Sequence, residues 1–239
     1  MRLQLILMTK SQILEYLEEN QDARGIAHWR NDVGYSGDLS TYGIGLTKLR
    51  KFSKTVGRDA ELARQLWRSD IYEMKIISLL IDDPKTMTIE QAEIQVDQLE
   101  GGFLEHVFST CGAPLAKSSF TVELADNWIE SEDEVRLRCG YGLLYEISKS
   151  KKKSAPDDEY FLEHVDRIDR RYSKQPIVVL MSMSGALLGI GKRSKGLNAA
   201  ALKVANKIGP IDFDPDGGCD PWDVSKHLTS DYVKQKLSL

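Results

Sequence analysis

The chain has 239 residues, of which 41% are hydrophobic and 28% are charged, the ordinary composition of a globular protein. Its net charge of −4 excludes a strongly basic protein, although one face of an acidic protein can still bind phosphate. The three cysteines, Cys111, Cys139 and Cys219, are far apart, which excludes a disulfide framework and zinc spacing and favours a reducing cytoplasm.

The N-terminal stretch LQLILM is too short for a signal-peptide core. We therefore treat residues 1–7 as an upstream extension of a single domain that covers residues 8–239. No apolar run approaches the roughly 20 residues that span a bilayer, so no membrane partner is expected.

Apolar residues recur at helical spacing along almost the whole chain, whereas strand-like alternation is rare. The predicted helices cover residues 11–20, 45–57, 58–69, 70–84, 88–100, 113–131, 131–150, 158–172, 176–189 and 195–208, with a last short helix in 224–237. Residues 21–43 and 212–222 are predicted to be irregular, and 150–159 to form an exposed loop. This pattern predicts an all-α protein, built either as stacked helix pairs (an α-solenoid) or as a closed, irregular bundle.

Charge is unevenly distributed along the chain. The segment Asp70–Glu105 has nine acids and two lysines, a balance of −7. Between Arg170 and Ile211 there is no acid, yet there are eight basic residues. Such a run is either a solvated helix surface or a phosphate-binding face, and the sequence leaves both open.

Conventional catalytic motifs are absent from the sequence, including a P-loop, HExxH, GxSxG and metal-ligand spacing. GIGKRSKG looks superficially like a phosphate loop, but no strand precedes it and its spacing is wrong. The four histidines are scattered. No metal or cofactor is therefore expected.

Several stretches together resemble one known family. The first is YG before an LR helix, followed by LW, an acidic residue and a long apolar helix that ends in DP. NWIESEDEVRLRCGYGLL and GIGKRSKGLNAAALKVANKIGPIDFD are similar to the family's middle and C-terminal helices. From about Gly25 to His227 the chain is identified as a member of the DNA alkylation repair family, the AlkD-like DNA glycosylases with HEAT-like helical repeats.

The resemblance implies an α-α superhelix with a cationic, concave DNA-binding channel. It also implies excision of N3- and N7-alkylated purines from duplex DNA without metal or cofactor. A monomer is expected. An alkylated purine is cationic, so its glycosidic bond is weak. A carboxylate would stabilise the developing oxocarbenium sugar, and aromatic faces would hold the cationic base.

At the family's catalytic positions this chain differs. The family has Trp and Asp four residues apart on one helical face, and Gly102 and His106 occupy those positions here. Gly185 occupies the position of a second channel tryptophan, whereas the family's arginine is retained as Arg138. The Gly101–Gly102 pair is either a bend before a helix, a sign of binding without catalysis, or a sign of altered catalysis.

The candidate site residues follow from this comparison. Glu105 and His106 are the catalytic candidates near the sugar, while Arg138, Lys192, Arg193 and, less strongly, Lys75 are the DNA-binding candidates. A structural Glu73–Lys75 ion pair is the alternative for Lys75. Trp67 and Trp128 are expected to be core residues rather than stacking platforms.

Two functional hypotheses result. The chain is a DNA-binding N-glycosylase for alkylpurines, or it is a non-catalytic helical-repeat scaffold for nucleic-acid or protein interaction.

Overall fold

The structure is a computed structural model that describes residues 8–31, 38–213 and 219–239. Within these residues the chain forms fourteen α-helices and two short 3-10 helices, so the predicted all-α class is confirmed. Extended backbone pairs at two isolated bridges, Ser40 with Ile71 and Ile211 with Trp222. The proposed upstream extension, residues 1–7, lies outside the described residues.

The first of two compact units comprises Met1–Ser119. Its helices are α1 (Lys10–Glu19), α2 (Ala23–Asn31), α3 (Leu46–Val56), α4 (Ala60–Trp67), α5 (Tyr72–Ile81), α6 (Ile89–Val96) and α7 (Leu104–Ser109), followed by a 3-10 turn at Leu115–Lys117. The central helix is α5, which packs against α3, α4 and α7. Because it has neighbours on several sides, α5 is apolar over most of its surface, with Ile76 and Ile77 fully buried.

Polar side chains set the helix starts of this unit. Thr9 forms a capping box with Gln12 at the start of α1. Asp59 accepts the backbone N–H of Leu62 at the start of α4, and Thr88 caps α6 in the same way. These caps lie within two residues of the predicted boundaries, because capping chemistry is local.

The second unit comprises Phe120–Leu239. Its helices are α8 (Thr121–Ile129), α9 (Glu134–Ser148), α10 (Asp158–Arg171), α11 (Ile177–Ile190), α12 (Lys195–Ile208), α13 (Val224–Leu228) and α14 (Asp231–Leu237), with a 3-10 turn at Tyr172–Lys174. Helix α9 packs against α8 and α11. Glycines permit these close contacts, since a Cβ on Gly140 would lie 2.9 Å from the backbone nitrogen of Ile129.

Three sequence expectations are wrong in detail. Residues 23–31, predicted to be irregular, form α2. The predicted helix 113–131 divides into the 3-10 turn and α8, because the chain is extended at Ser118. The last predicted helix, 224–237, divides into α13 and α14, because the extended Ser230 begins a new helix.

Candidate functional site

The glycine pair at residues 101 and 102 forms a turn before α7. Both glycines have left-handed backbone angles, φ 73° and 56°. Helix α7 begins only at Leu104. The bend before a helix is therefore confirmed. Glycine suits both positions, because residues with side chains rarely adopt two consecutive left-handed conformations.

An aromatic pair packs directly against this turn. The rings of Trp29 and Tyr72 lie 4.4 Å apart between centroids and are tilted by 41°. A Cβ on Gly102 would lie 2.8 Å from both rings. The hydroxyl of Tyr72 accepts the backbone N–H of Phe103 at 2.9 Å, and burial raises the pKa of Tyr72 to about 12. The space beside residue 102 is therefore occupied by rings from α2 and α5.

The two catalytic candidates lie on α7 in different surroundings. Glu105 is in the first turn and is half-buried, with its carboxylate oxygen Oε2 shielded from solvent. His106 is exposed, and both of its ring nitrogens have partners, the hydroxyl of Thr110 and the sulfur of Cys111. A carboxylate is available only from Glu105 of this pair, because imidazole carries no negative charge.

The predicted Glu73–Lys75 ion pair is wrong, since each side chain bonds elsewhere. Glu73 is fully buried and accepts hydrogen bonds from Thr41 and from the backbone of Tyr42 and Ile44. Residues two apart on a helix do not face each other, which explains the separation.

Lys75 instead lies beside the indole of Trp67. Its ammonium donates to the carbonyl of Trp67 at 2.9 Å and stands 4.4 Å from the ring centroid. Burial lowers the pKa of Lys75. These contacts give Lys75 a structural role, and its contact with DNA stays a prediction. Trp67 itself is buried, and so is Trp128 on α8, as expected of core residues.

In the second unit, Arg138 is half-buried on α9, with its Nη1 atom 3.9 Å from Glu134. The position matched to the second channel tryptophan, Gly185, is on α11. A Cβ at Gly185 would lie 3.8 Å from the ring of Trp222. Each of the two glycines that the resemblance matched to a tryptophan position thus lies next to a tryptophan from another segment, Trp29 in one unit and Trp222 in the other.

Arg193 is held by the protein backbone. Its guanidinium donates to the carbonyls of Ser148, Ser150 and Pro156 at 2.7, 2.9 and 3.2 Å. It also stands 4.3 Å above the ring centroid of Phe161. This arrangement ties the loop after α9 to the end of α11, and the phosphate contact predicted for Arg193 remains a prediction.

Next to Arg193, four lysines surround a cavity of about 500 Å³. We call it the lysine pocket, and its defining residues are Lys149, Lys151, Lys192 and Lys236. Its wall also contains two tyrosines, Tyr145 and Tyr232, and a single acid, Asp158.

The lysines of this pocket are incompletely neutralised. Lys149 pairs with Glu146 at 2.6 Å. Among the described residues, Lys151, Lys192 and Lys236 have no carboxylate within ion-pair distance. Burial and the neighbouring Lys236 lower the pKa of Lys192. The pocket therefore concentrates positive charge in a protein of negative net charge, and the sequence alone indicated only Lys192 and Arg193.

No metal centre emerges from the parts of the chain that the structure covers, since no three His, Cys, Asp or Glu side chains there are grouped as ligands. Likewise, no helix within residues 8–31, 38–213 and 219–239 is long and apolar enough to cross a bilayer.

The described ranges form paired helices without strands, which is the arrangement that helical-repeat proteins stack. The family model described as "DNA alkylation repair enzyme" matches residues 12–207, and the chain belongs to this family. One similar solved structure is described as "A new family of proteins related to the HEAT-like repeat DNA glycosylases with affinity for branched DNA structures". It has 17% identity and a TM-score of 0.79 over 97% of both chains, so the two proteins share the HEAT-like fold. No curated protein matches the chain significantly.

Proposed function

We propose that this protein binds DNA through phosphate contacts in the lysine pocket, and that it binds branched DNA more tightly than linear duplex. Membership of the DNA alkylation repair family supports DNA as the partner. The similar structure described as having affinity for branched DNA supports the preference for a branch point.

The lysine pocket is the observation that carries this proposal. Phosphate contacts require cations that are not already neutralised, and three of the pocket lysines meet that condition. A branch point brings the phosphates of several duplex arms close together. A cluster of cations therefore gains more counterion release there than on one straight duplex.

The test is a fluorescence-anisotropy titration of a four-way junction and of a linear duplex with the same sequence. We expect tighter binding to the junction and a steep loss of affinity with salt for both. The double variant Lys192→Gln/Lys236→Gln should weaken binding at every salt concentration and reduce the slope of log K against log salt by about 2.

The matched control is Lys85→Gln/Lys117→Gln, which removes two exposed lysines of the first unit. It changes the net charge equally, so a loss confined to the pocket variant localises the contact. Equal effects of the two variants, or no binding by the wild type at low salt, would refute the proposal.

Base excision is the second candidate, and it rests on the glycine positions. Trp29 is half-buried beside Gly102, and Trp222 is half-buried beside Gly185. The indole of Trp29, which lies in the same unit as Glu105, would supply a face that holds a cationic base by cation–π attraction. Glu105 would then supply the carboxylate that stabilises the oxocarbenium sugar.

Release of 7-methylguanine from methylated duplex DNA tests this second function. Excision predicts release above the spontaneous rate that falls at least tenfold in Glu105→Gln, because the variant loses the negative charge. His106→Ala tests the neighbouring side chain separately from Glu105. Glu90→Gln, at an exposed position on α6, controls for the loss of one carboxylate. Release no faster than the spontaneous rate would rule out base excision, and the protein would then be a DNA-binding scaffold.

A further inference from the structure

The sharp turn after α7 presents an exposed cysteine in an unusual conformation. Cys111 has φ 58° and is followed by Gly112 with φ 75°. The carbonyl of Thr110 accepts the N–H of Ala113 at 3.0 Å and closes the turn. A residue with a side chain rarely adopts the left-handed region, so the fold holds this thiol in place against a local preference.

The thiol forms a hydrogen-bonded triad with the end of α7. The sulfur of Cys111 lies 2.8 Å from Nε2 of His106, and Nδ1 of the same ring lies 2.9 Å from the hydroxyl of Thr110. That hydroxyl donates its proton to the carbonyl of His106 at 2.5 Å. Its oxygen therefore accepts from Nδ1–H, which leaves Nε2 as the base that faces the sulfur. A nucleophile, a base and a group that orients the base define an activated nucleophile.

A cation from another helix also acts on the thiol. Arg50, on α3, contributes to the lowered pKa of Cys111, and its buried Nε and Nη2 atoms have no hydrogen-bond acceptor among the described residues. The charged side chains of α5, Glu73 and Lys75, are bound elsewhere. The hydrogen bond with His106 is the main cause that lowers the pKa of Cys111 to about 7, and Arg50 contributes less.

We propose that Cys111 is a peroxide-reactive thiol, with His106 as its base and Arg50 as the donor that binds the peroxide. This proposal does not depend on DNA binding or base excision. The two unsatisfied nitrogens of Arg50 fit a small ligand with oxygen acceptors, which is why we select a peroxide over a bulky electrophile.

The reaction balances with hydrogen peroxide as the oxidant. Nε2 of His106 takes the thiol proton, and the thiolate attacks one peroxide oxygen, so that an S–O bond forms while the O–O bond breaks. The hydroxide that leaves takes the proton back from His106 and becomes water. The sulfur is oxidised to sulfenic acid and the peroxide is reduced.

The test compares the three cysteines within one full-length protein by peptide mass spectrometry. Cys219 is the exposed internal control and Cys139 the buried one. Iodoacetamide labelling from pH 5.5 to 9.5 should be half-maximal near pH 7 for Cys111 and nearer 8.5 for an ordinary thiol. A lowered pKa alone gives only about a threefold rate advantage at pH 7, because a weaker base is also a weaker nucleophile.

Peroxide oxidation trapped by dimedone then tests activation beyond the lowered pKa. We expect the Cys111-to-Cys219 rate ratio to be about tenfold larger with peroxide than with iodoacetamide. Arg50→Met should abolish the larger rate ratio with peroxide. His106→Asn should shift the pH dependence of iodoacetamide labelling of Cys111 towards that of an ordinary thiol. Equal ratios for both reagents in the wild type would overturn the proposal even if neither variant folded.

Discussion

The indole of Trp29 and the phenol of Tyr72 lie 4.4 Å apart between their centroids and together fill the space beside Gly102. The two rings come from α2 and α5, which are far apart in sequence. A side chain at residue 102 would have to displace one of them. The packing around residue 102 therefore requires a glycine.

This relationship predicts the cost of adding one methyl group. Gly102→Ala should lower the free energy of unfolding by about 2 kcal/mol, since the new Cβ both overlaps the rings and occupies the left-handed region. Gly112→Ala is the matched control, because Gly112 is also left-handed but a Cβ added there would have no neighbouring atom within 4 Å. The control should cost about 1 kcal/mol in urea denaturation. Equal costs would mean that the rings move aside freely.

Glu73→Gln should destabilise the first unit by about 2 kcal/mol. The buried carboxylate accepts from Thr41, Tyr42 and Ile44, and an amide would point a donor at one of those donors. Thermal unfolding measures the loss, and the exposed Glu90→Gln should leave it unchanged. A Glu73→Gln protein as stable as the wild type would contradict the anchoring role.

Arg193→Lys should lower stability by about 2 kcal/mol, because the single nitrogen of lysine cannot take the places of both Nη1 and Nη2, which together reach the three carbonyls. The folded variant should keep the salt slope of DNA binding, since the positive charge is retained and the guanidinium is occupied by carbonyls. If stability is unchanged and affinity falls, the phosphate contact predicted from the sequence is the correct role.

Lys192→Met should stabilise the protein without DNA while it weakens DNA binding. The folded pKa of Lys192 lies below its unfolded value, so protonation opposes folding fully below the folded pKa. The unfolded state binds more protons between the folded pKa and 10.5, and wild-type stability therefore rises with pH in that window. The advantage of the variant should shrink over the same window in pH-dependent denaturation. The variant Lys85→Met, at an exposed position, should show no such trend. A Lys192→Met protein less stable than the wild type would contradict the expected stabilisation.

Most of the fold was predictable from the sequence because helical periodicity and capping are local. The start of α4 at Asp59 and the end of α5 before Pro84 follow from single residues. The prediction that residues 21–43 are irregular was wrong for α2. In this helix Gly25 lies so close to the backbone of Gly43 that no side chain would fit. Such a close approach leaves no periodic signal in the sequence.

The candidate site was only partly predictable. The family resemblance located Gly102, Glu105, His106 and Arg138, whereas Lys151 and Lys236 of the lysine pocket carry no motif. The histidine and the cysteine of the triad are five residues apart, and that spacing does not place two side chains together on a helix. Only the left-handed turn at Cys111 brings the sulfur back to the imidazole.

By itself the sequence determined the helical class, most helix boundaries and the membership of the family, because these depend on spacing and composition along the chain. The tertiary structure alone decided which charges are occupied and which are available. Arg193 and Lys75 are bound to carbonyls, whereas Lys192 faces other lysines. The physical reason is that hydrogen bonding and desolvation depend on neighbours that are distant in sequence and are set only when the helices pack.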